Sequence, residues 1–254
     1  GLRARLLFAR KQYDQAAKDA DRLESAAASA DVTALPQSDA DWPVFRADNS
    51  STGTTAAEVP ATVQQAWRAA LPQGVTPTAP TAVGDLVFVA GSDGVVRALE
   101  AGSGQAKWTA FTGGAIRLPP TIADGRVLAG SGDGWVYAWE AATGRLLWRF
   151  RAAPVERRIP VYGQLSSTWP AASGVLVEKE VAYVAAGIVN YDGTHVYALD
   201  AATGRIKWQN NATGHMDPIG RTGVSVQGQM LAFDGRLWLA GGNLVSPAAF
   251  DLQD

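Results

Sequence analysis

The sequence contains no cysteine, only two histidines and two methionines, and no long apolar run. Without cysteine, the chain has no disulfide, no thiolate nucleophile and no cysteine-based metal site. No apolar run approaches the roughly 18 residues of a membrane-spanning helix, so no transmembrane segment is predicted. The net charge of −2 gives no long-range field that attracts nucleic acid, and no nucleic-acid partner is expected.

The abundant residues are those of a turn-rich β protein. The chain has 27 glycines and 13 prolines, which falls well short of a disordered composition. Hydrophobic residues make up 47% of its 254 residues, enough for a sizeable core. Nine tryptophans indicate that large rigid aromatics serve as repeated packing anchors.

An internal repeat organises the chain. The pattern Ala-x-(Asp/Glu)-x-x-(Thr/Ser)-Gly-x-x-x-Trp occurs three times, at 98–108, 138–148 and 198–208. The tryptophans that end the first two copies are 40 residues apart, and Trp67 lies 41 residues before the first of them. The third copy follows after 60 residues, which is one period with an insertion of about 20. A repeat of this length is typical of a β-propeller blade.

Each repeat unit has the signals of a four-stranded antiparallel meander. In the second unit, strands are predicted at Arg126–Ala129, Trp135–Trp139 and Arg145–Arg151, and a fourth is predicted near Thr121. Asp-Gly pairs between successive strands supply the positive φ that tight hairpin turns need. The predicted fold is therefore all-β, a β-propeller of four-stranded blades.

The units account for about three and a half blades. A fourth unit begins near Gly228 and reaches Asp251 before any Thr-Gly pair or closing tryptophan. Complete propellers have roughly four to eight blades and close into a ring. We therefore expect an incomplete ring, with the remaining blades on missing sequence or on another chain.

The region before the repeats divides into a helix and a linker. Residues 1–30 are rich in alanine, lack proline and place apolar residues at roughly helical spacing, which predicts a helix. This helix is interpreted as the tail of a helical linker or coiled coil, or as the remainder of a helical-hairpin repeat. Residues 31–62 are predicted to be a linker and a lead-in segment, with Trp42 and Phe45 as apolar anchors, and the partial propeller is assigned to 63–254.

The repeated pattern resembles the tryptophan-docking motif of the quinoprotein, or PQQ-binding-like, β-propellers. In that family the tryptophan of one blade packs on the peptide planes of the alanine-to-glycine stretch of a neighbouring blade. The stretch Trp42-Pro43-x-Phe45-Arg46 also resembles the segment before the first blade in bacterial members. The structural docking residues that the resemblance implies are Trp108, Trp148, Trp208, Gly104, Gly144 and Gly204.

The resemblance implies several functional classes. The family includes quinone-dependent alcohol and sugar dehydrogenases, the propeller lipoprotein of the outer-membrane assembly machinery, and sensor domains of receptor kinases. We expect a non-catalytic scaffold that binds protein or peptide partners in the periplasm or cell envelope, without a cofactor. Two alternatives stay open: a periplasmic dehydrogenase that uses PQQ and calcium, and a ligand-sensing domain of a larger receptor. Neither a calcium-binding set nor an aspartate base is recognisable, and the cysteine pair of many alcohol-oxidising members is absent.

The candidate interaction loop is the insertion between the second and third units. Arginines are concentrated there with a single glutamate to oppose them. Guanidinium groups pair bidentately with carboxylates, so the loop is suited to an acidic partner or a carboxylated ligand, or it is simply a solvated loop. Two aromatics add anchors of the kind that interfaces favour. The residues assigned to this loop are Arg151, Arg157, Arg158, Tyr162 and Trp169.

The remaining polar candidates are expected to be structural. Asp93, Asp133 and Asp192 precede glycine at equivalent turns, so hairpin chemistry is expected there instead of calcium binding. His195 and His215 lack a convincing serine or acidic partner and are interpreted as plain surface or core residues. No catalytic residue and no metal-binding residue is therefore assigned.

Overall fold

The computed structural model describes residues 21–26, 31–188, 192–211, 223–241 and 245–253. Over these ranges the chain is all-β, with no α-helix, and no helix long and apolar enough to cross a bilayer occurs in them. The strands in chain order are β1 (Leu23–Ser25), β2 (Thr81–Val83), β3 (Leu86–Ala90), β4 (Val95–Glu100), β5 (Ala106–Phe111), β6 (Thr121–Ala123), β7 (Arg126–Gly130), β8 (Trp135–Glu140), β9 (Leu146–Arg151), β10 (Arg158–Val161), β11 (Gln164–Ser167), β12 (Leu176–Glu178), β13 (Val181–Ala186), β14 (His195–Asp200), β15 (Ile206–Asn210), β16 (Leu231–Phe233), β17 (Arg236–Leu239) and β18 (Ala248–Asp251).

Four antiparallel sheets form the blades. Blade 1 has the order β2-β3-β4-β5, blade 2 the order β6-β7-β8-β9, and blade 3 the order β12-β13-β14-β15. Blade 4 has three described strands, β16-β17-β18, and β10 and β11 form a separate hairpin. The first strands of successive blades contact one another, so they lie innermost and the last strands lie outermost. The predicted β-propeller with four-stranded blades is confirmed.

The core lies between the blades. Every residue of β8 in blade 2 is buried, because one face of its sheet is covered by blade 1 and the other by blade 3. A third apolar cluster fills the space between blades 3 and 4. The β7–β8 turn has Gly134 at a φ of +88°, the conformation for which the Asp-Gly pair was predicted.

The lead-in segment runs through the centre of the arc of blades. The backbone N–H of Trp42 donates to β2 at 2.8 Å, and its carbonyl accepts a hydrogen bond from the same strand. The carbonyl of Pro43 accepts a hydrogen bond of 2.8 Å from β6. Asn49 donates through its side chain to β12 at 2.7 Å and accepts through its carbonyl from β16 at 2.9 Å. Residues 42–49 therefore connect the innermost strands of all four blades.

Within the helix predicted over residues 1–30, the structure describes residues 21–26 and corrects the prediction there. Leu23–Ser25 is strand β1, which pairs antiparallel with β9 as a fifth strand on the outer edge of blade 2. The side chain of Leu23 packs against the core between blades 2 and 3. Strand hydrogen bonds and this apolar contact outweigh a weak helix propensity. Residues 1–20 and 27–30 lie outside the described residues.

Candidate interaction surface

Tryptophans of the repeat contact neighbouring blades. Trp108 of blade 1 donates its indole N–H to the carbonyl of Ala141 in blade 2, with an N–O distance of 2.9 Å. Its ring lies on Gly144, where the Cβ of any larger residue would come within 2.6 Å of the ring. Gly144 also has a φ of +75°, so a substitution there meets both steric overlap and backbone strain.

The same geometry recurs around the arc. Trp148 donates to Ala201 at 3.1 Å and lies on Gly204. Trp67, which precedes the first blade, donates to Ala101 at 2.7 Å, and its ring lies on Gly104. Trp208 donates to the carbonyl of Leu252 at 3.3 Å. The structural docking role that the resemblance implies for these residues stays a prediction.

The insertion between blades 2 and 3 forms the hairpin β10–β11. Tyr162 lies at its turn and is fully exposed. Ile159 and Leu165 on its two strands are 42% and 61% exposed. Of the five residues assigned to the interaction loop, Tyr162 is the one whose side chain is fully exposed, and its role in binding stays a prediction. Ile159 and Leu165 were not predicted, because the prediction of the loop was based on arginines and aromatics and not on aliphatic residues in a short strand.

Trp169 is a core residue, which corrects its interpretation as a surface anchor. Its side chain is fully buried in the cluster between blades 2 and 3. The indole N–H donates to the carbonyl of Asp192 at 2.7 Å, and the ring meets that of buried His195 edge-on at 6.4 Å. The chain returns into the blades directly after β11, and a large apolar side chain at this point fills the core.

The arginines of the loop are engaged within the chain. Arg157 lies 3.1 Å from the carboxylate of Asp192, and its guanidinium lies 4.7 Å from the centre of the Trp169 ring. Arg158 lies 3.2 Å from the carboxylate of Glu156. Burial lowers the pKa of Arg151, and neighbouring Arg22 adds to this. Because these arginines contact groups within the chain, they argue against the cationic surface that was expected. The exposed part of the hairpin is mainly apolar.

A cavity of about 270 Å³ lies between the hairpin and the blade ends. The hairpin contributes Ile159, Val161 and Leu165 to its wall, and the loop between blades 1 and 2 contributes Leu118. Ile188 of blade 3 closes another side. Hairpin and cavity together form an apolar surface, which we call the hairpin surface.

The turn aspartates take part in local hydrogen bonding. Asp133 accepts hydrogen bonds from the backbone N–H of Trp135 at 3.0 Å and of Gly113 at 2.7 Å, and from the hydroxyl of Tyr137 at 2.6 Å. Burial and the Asp133 charge raise the pKa of Tyr137. Asp93 pairs with Arg97 in its own hairpin.

Among the described residues, no group of three His, Cys, Asp or Glu side chains is arranged to hold a metal ion. His195 is buried in blade 3, and His215 lies outside the described residues.

Two solved structures of quinohemoprotein dehydrogenases share the fold, and a third solved structure is similar over part of the chain. A quinohemoprotein alcohol dehydrogenase from Pseudomonas putida is 16% identical, with a TM-score of 0.67 over 85% of this chain and 39% of that one. The quinohemoprotein alcohol dehydrogenase from Comamonas testosteroni is 20% identical, with a TM-score of 0.63 over 92% of this chain and 38% of that one. BamB from Moraxella catarrhalis is 19% identical, with a TM-score of 0.49 over 68% of this chain and 48% of that one.

These likenesses are limited to the fold. The chain spans less than half the length of each of the three proteins, and identities of 16–20% show no shared activity. No curated protein matches the sequence. A family model does match: residues 24–119 and 110–249 both fit the model described as outer membrane protein assembly factor BamB. The two matches cover most of the sequence, and the chain belongs to the BamB family of PQQ-like repeat propellers.

Proposed function

We propose that the chain is a non-catalytic propeller scaffold of the bacterial cell envelope that binds a protein partner through the hairpin surface. The observation that carries this proposal is the exposure of Ile159, Tyr162 and Leu165 on a hairpin that projects beside an apolar cavity. Contiguous exposed apolar side chains mark interaction sites in soluble proteins, and a tyrosine at the tip is suited to a partner's pocket.

Membership of the BamB family supports the compartment and the kind of partner. The family description names an assembly factor for outer membrane proteins, which fits an envelope location and a protein ligand. Arg157 and Arg158 already pair with carboxylates of the chain itself. This favours a partner with an apolar contact patch over one recognised by its acidic charge.

Photo-crosslinking tests the proposal. A photoreactive amino acid at position 162, in cells of the native host, is expected to form a discrete crosslink to one envelope protein. The same amino acid at Phe233, which is 64% exposed on blade 4, is the control and should not give that product. Equal crosslinking from both positions would contradict a specific hairpin surface.

A titration with PQQ and calcium tests the dehydrogenase alternative. A ligand selective for the folded state adds RT ln(1 + [L]/Kd) to the free energy of unfolding, and it therefore raises the melting temperature. We expect no saturable binding and no shift in the melting temperature. Saturable quinone binding with a stability gain would contradict the non-catalytic proposal.

A further inference from the structure

The hairpin that forms one wall of the cavity is fixed to the neighbouring blades. The backbone N–H of Ser167 donates to the carbonyl of Gly132 at 2.7 Å, and the hydroxyl of Ser166 donates to the same carbonyl at 3.1 Å. Arg157, directly before the hairpin, pairs with Asp192 of blade 3. Because these contacts lie within the chain, the cavity is preorganised, and preorganisation lowers the entropic cost of binding.

The volume of the cavity suits one large side chain. It measures about 270 Å³, which is just below the roughly 300–1,000 Å³ of pockets that enclose a whole drug-sized ligand. Small residues at the ends of blades 2 and 3 line it together with the aliphatic side chains of the hairpin surface; they are Gly130, Gly132, Ala171 and Ala172. Aromatic side chains bury large apolar areas and dominate interface energetics. An aromatic side chain of a partner protein is therefore the occupant that the cavity fits.

Two charged residues line the cavity, and only one of their charges is compensated. The carboxylate of Asp192 lies 3.1 Å from the guanidinium of Arg157, so its charge is balanced. Arg117, in the loop between blades 1 and 2, is exposed. In the described part of the chain, no carboxylate lies within ion-pair distance of Arg117. The cavity therefore presents one uncompensated positive charge.

Arg117 differs in this respect from the arginines beside it on the hairpin. Arg157 and Arg158 each pair with a carboxylate of the chain itself, whereas the guanidinium N–H groups of Arg117 are available to a partner. A guanidinium binds a carboxylate through charge-assisted and frequently bidentate hydrogen bonds. A carboxylate beside the aromatic anchor is thus the group that complements the charge of the cavity.

We propose that the hairpin surface recognises a partner segment in which an aromatic residue is flanked by aspartate or glutamate. The aromatic side chain enters the cavity between Leu118, Leu165 and Ile188, and the flanking carboxylate pairs with Arg117. Arg117 is then the residue that determines specificity among aromatic segments. This inference rests on the proposed function, because it names the feature of the partner that the hairpin surface binds.

Capped peptides test the two parts of the proposal separately. The probe is acetyl-Ala-Glu-Trp-Glu-Ala-amide, and NMR titration follows its binding to the full chain at low ionic strength, where exposed ion pairs are least screened. We expect saturable binding that weakens about two- to fivefold when both glutamates are replaced by glutamine, as for an exposed ion pair. Replacing the tryptophan by alanine should weaken binding more than about tenfold, because the aromatic anchor is lost.

Protein variants assign the preference for glutamate to Arg117. Arg117→Gln should bind the glutamate and glutamine peptides equally, since the coupling between two groups disappears when either is removed. Arg205→Gln is the matched control, because Arg205 is exposed in the turn between β14 and β15 and its loss changes the charge equally. This control should keep the preference. Nuclear Overhauser contacts from the peptide indole to the methyl groups of Leu118 and Leu165 should locate the site.

Four results would overturn the proposal. They are an absence of peptide binding, equal binding of the glutamate and glutamine peptides to the original protein, a preference that survives Arg117→Gln, and indole contacts away from the cavity. The crosslink from position 162 separates this failure from that of the proposed function. A specific crosslink that persists in Arg117→Gln alongside such a result would mean that the hairpin surface binds its partner without this carboxylate contact. Loss of specificity in the crosslink itself would remove the proposed function as well.

Discussion

At the scale of single residues, the tryptophans of the repeat are expected to be the main contacts between blades. Trp148 is fully buried, whereas Trp67 is only partly buried. Trp148→Ala should lower the free energy of unfolding by about 3–5 kcal/mol, as for other buried tryptophans. Trp67→Ala is the matched control and should cost clearly less. Urea unfolding measures both, and equal losses would contradict the importance of burial between blades.

Glu140 provides a residue-scale test by pH. Hydrogen bonds from the Thr143 hydroxyl and the Thr33 backbone N–H lower its pKa from 4.5 to about 2, and Arg145 adds to the effect. Because the pKa is lower in the folded state, this stabilisation is complete above about pH 4.5 and is lost as the pH falls towards 2.

Glu140→Gln should therefore flatten the dependence of stability on pH in that window. It should also reduce the free energy of unfolding at pH 7 by about 1–2 kcal/mol, since charge-assisted hydrogen bonds become neutral ones. Glu100→Gln, at the equivalent but exposed position of blade 1, is the control and should cost less. Thermal or urea unfolding between pH 2 and 7 makes the comparison, and an unchanged slope for Glu140→Gln would refute the assignment.

The sequence distinguished poorly between surface and core aromatics in the insertion. Tyr162 and Trp169 both follow the arginines, but Tyr162 lies at a turn and Trp169 is buried next to His195. Periodicity cannot separate them, because their burial depends on where the insertion returns to the blades. That return is a long-range contact without a local pattern.

At the scale of elements, β1 is expected to hold the outer edge of blade 2. The backbone N–H of Arg151 donates to the carbonyl of Arg22 at 2.8 Å. Arg22→Ala removes the guanidinium that lies over the rings of Phe150 and Tyr197, so β1 should detach more often. Hydrogen exchange at the Arg151 amide should become faster, while exchange in β4 of blade 1 stays unchanged. Equal exchange in the variant and the original protein would show that Arg22 does not anchor β1.

The blade strands were predictable and the N-terminal strand was not. Asp-Gly turns and alternating apolar residues placed β7, β8 and β9 within one or two residues of their observed bounds. Strand β1 pairs with residues more than 120 positions away, and its alanine-rich surroundings favour helix locally. The path of residues 42–49 along the inner strands likewise could not be predicted from the sequence, because its hydrogen-bond partners are spread over four blades.

At the scale of the whole molecule, the repeat period was sufficient to predict the architecture. A unit of about 40 residues with a fixed tryptophan buries its faces only against neighbouring units, and the structure has that arrangement. The repeat carries no information about the partner. The hairpin insertion interrupts the repeat, and its exposed aliphatic residues become apparent only when the fold is known.

The hairpin surface should contribute to binding and little to stability. Tyr162 contacts solvent on all sides, so Tyr162→Ser should change the free energy of unfolding by less than about 0.5 kcal/mol. Urea unfolding checks this, and a loss comparable to that of Trp148→Ala would mean that the hairpin is a structural element instead.

The affinity of the hairpin surface for its crosslinked partner is the most direct measurement of the central claim. Calorimetric titration of that purified partner should give saturable binding to the chain. The triple variant Ile159→Ser, Tyr162→Ser and Leu165→Ser should weaken it by at least about a hundredfold, since truncated interface anchors cost about 2 kcal/mol or more each. Phe233→Ser is the control and should bind normally. An unchanged affinity in a folded triple variant would contradict the account.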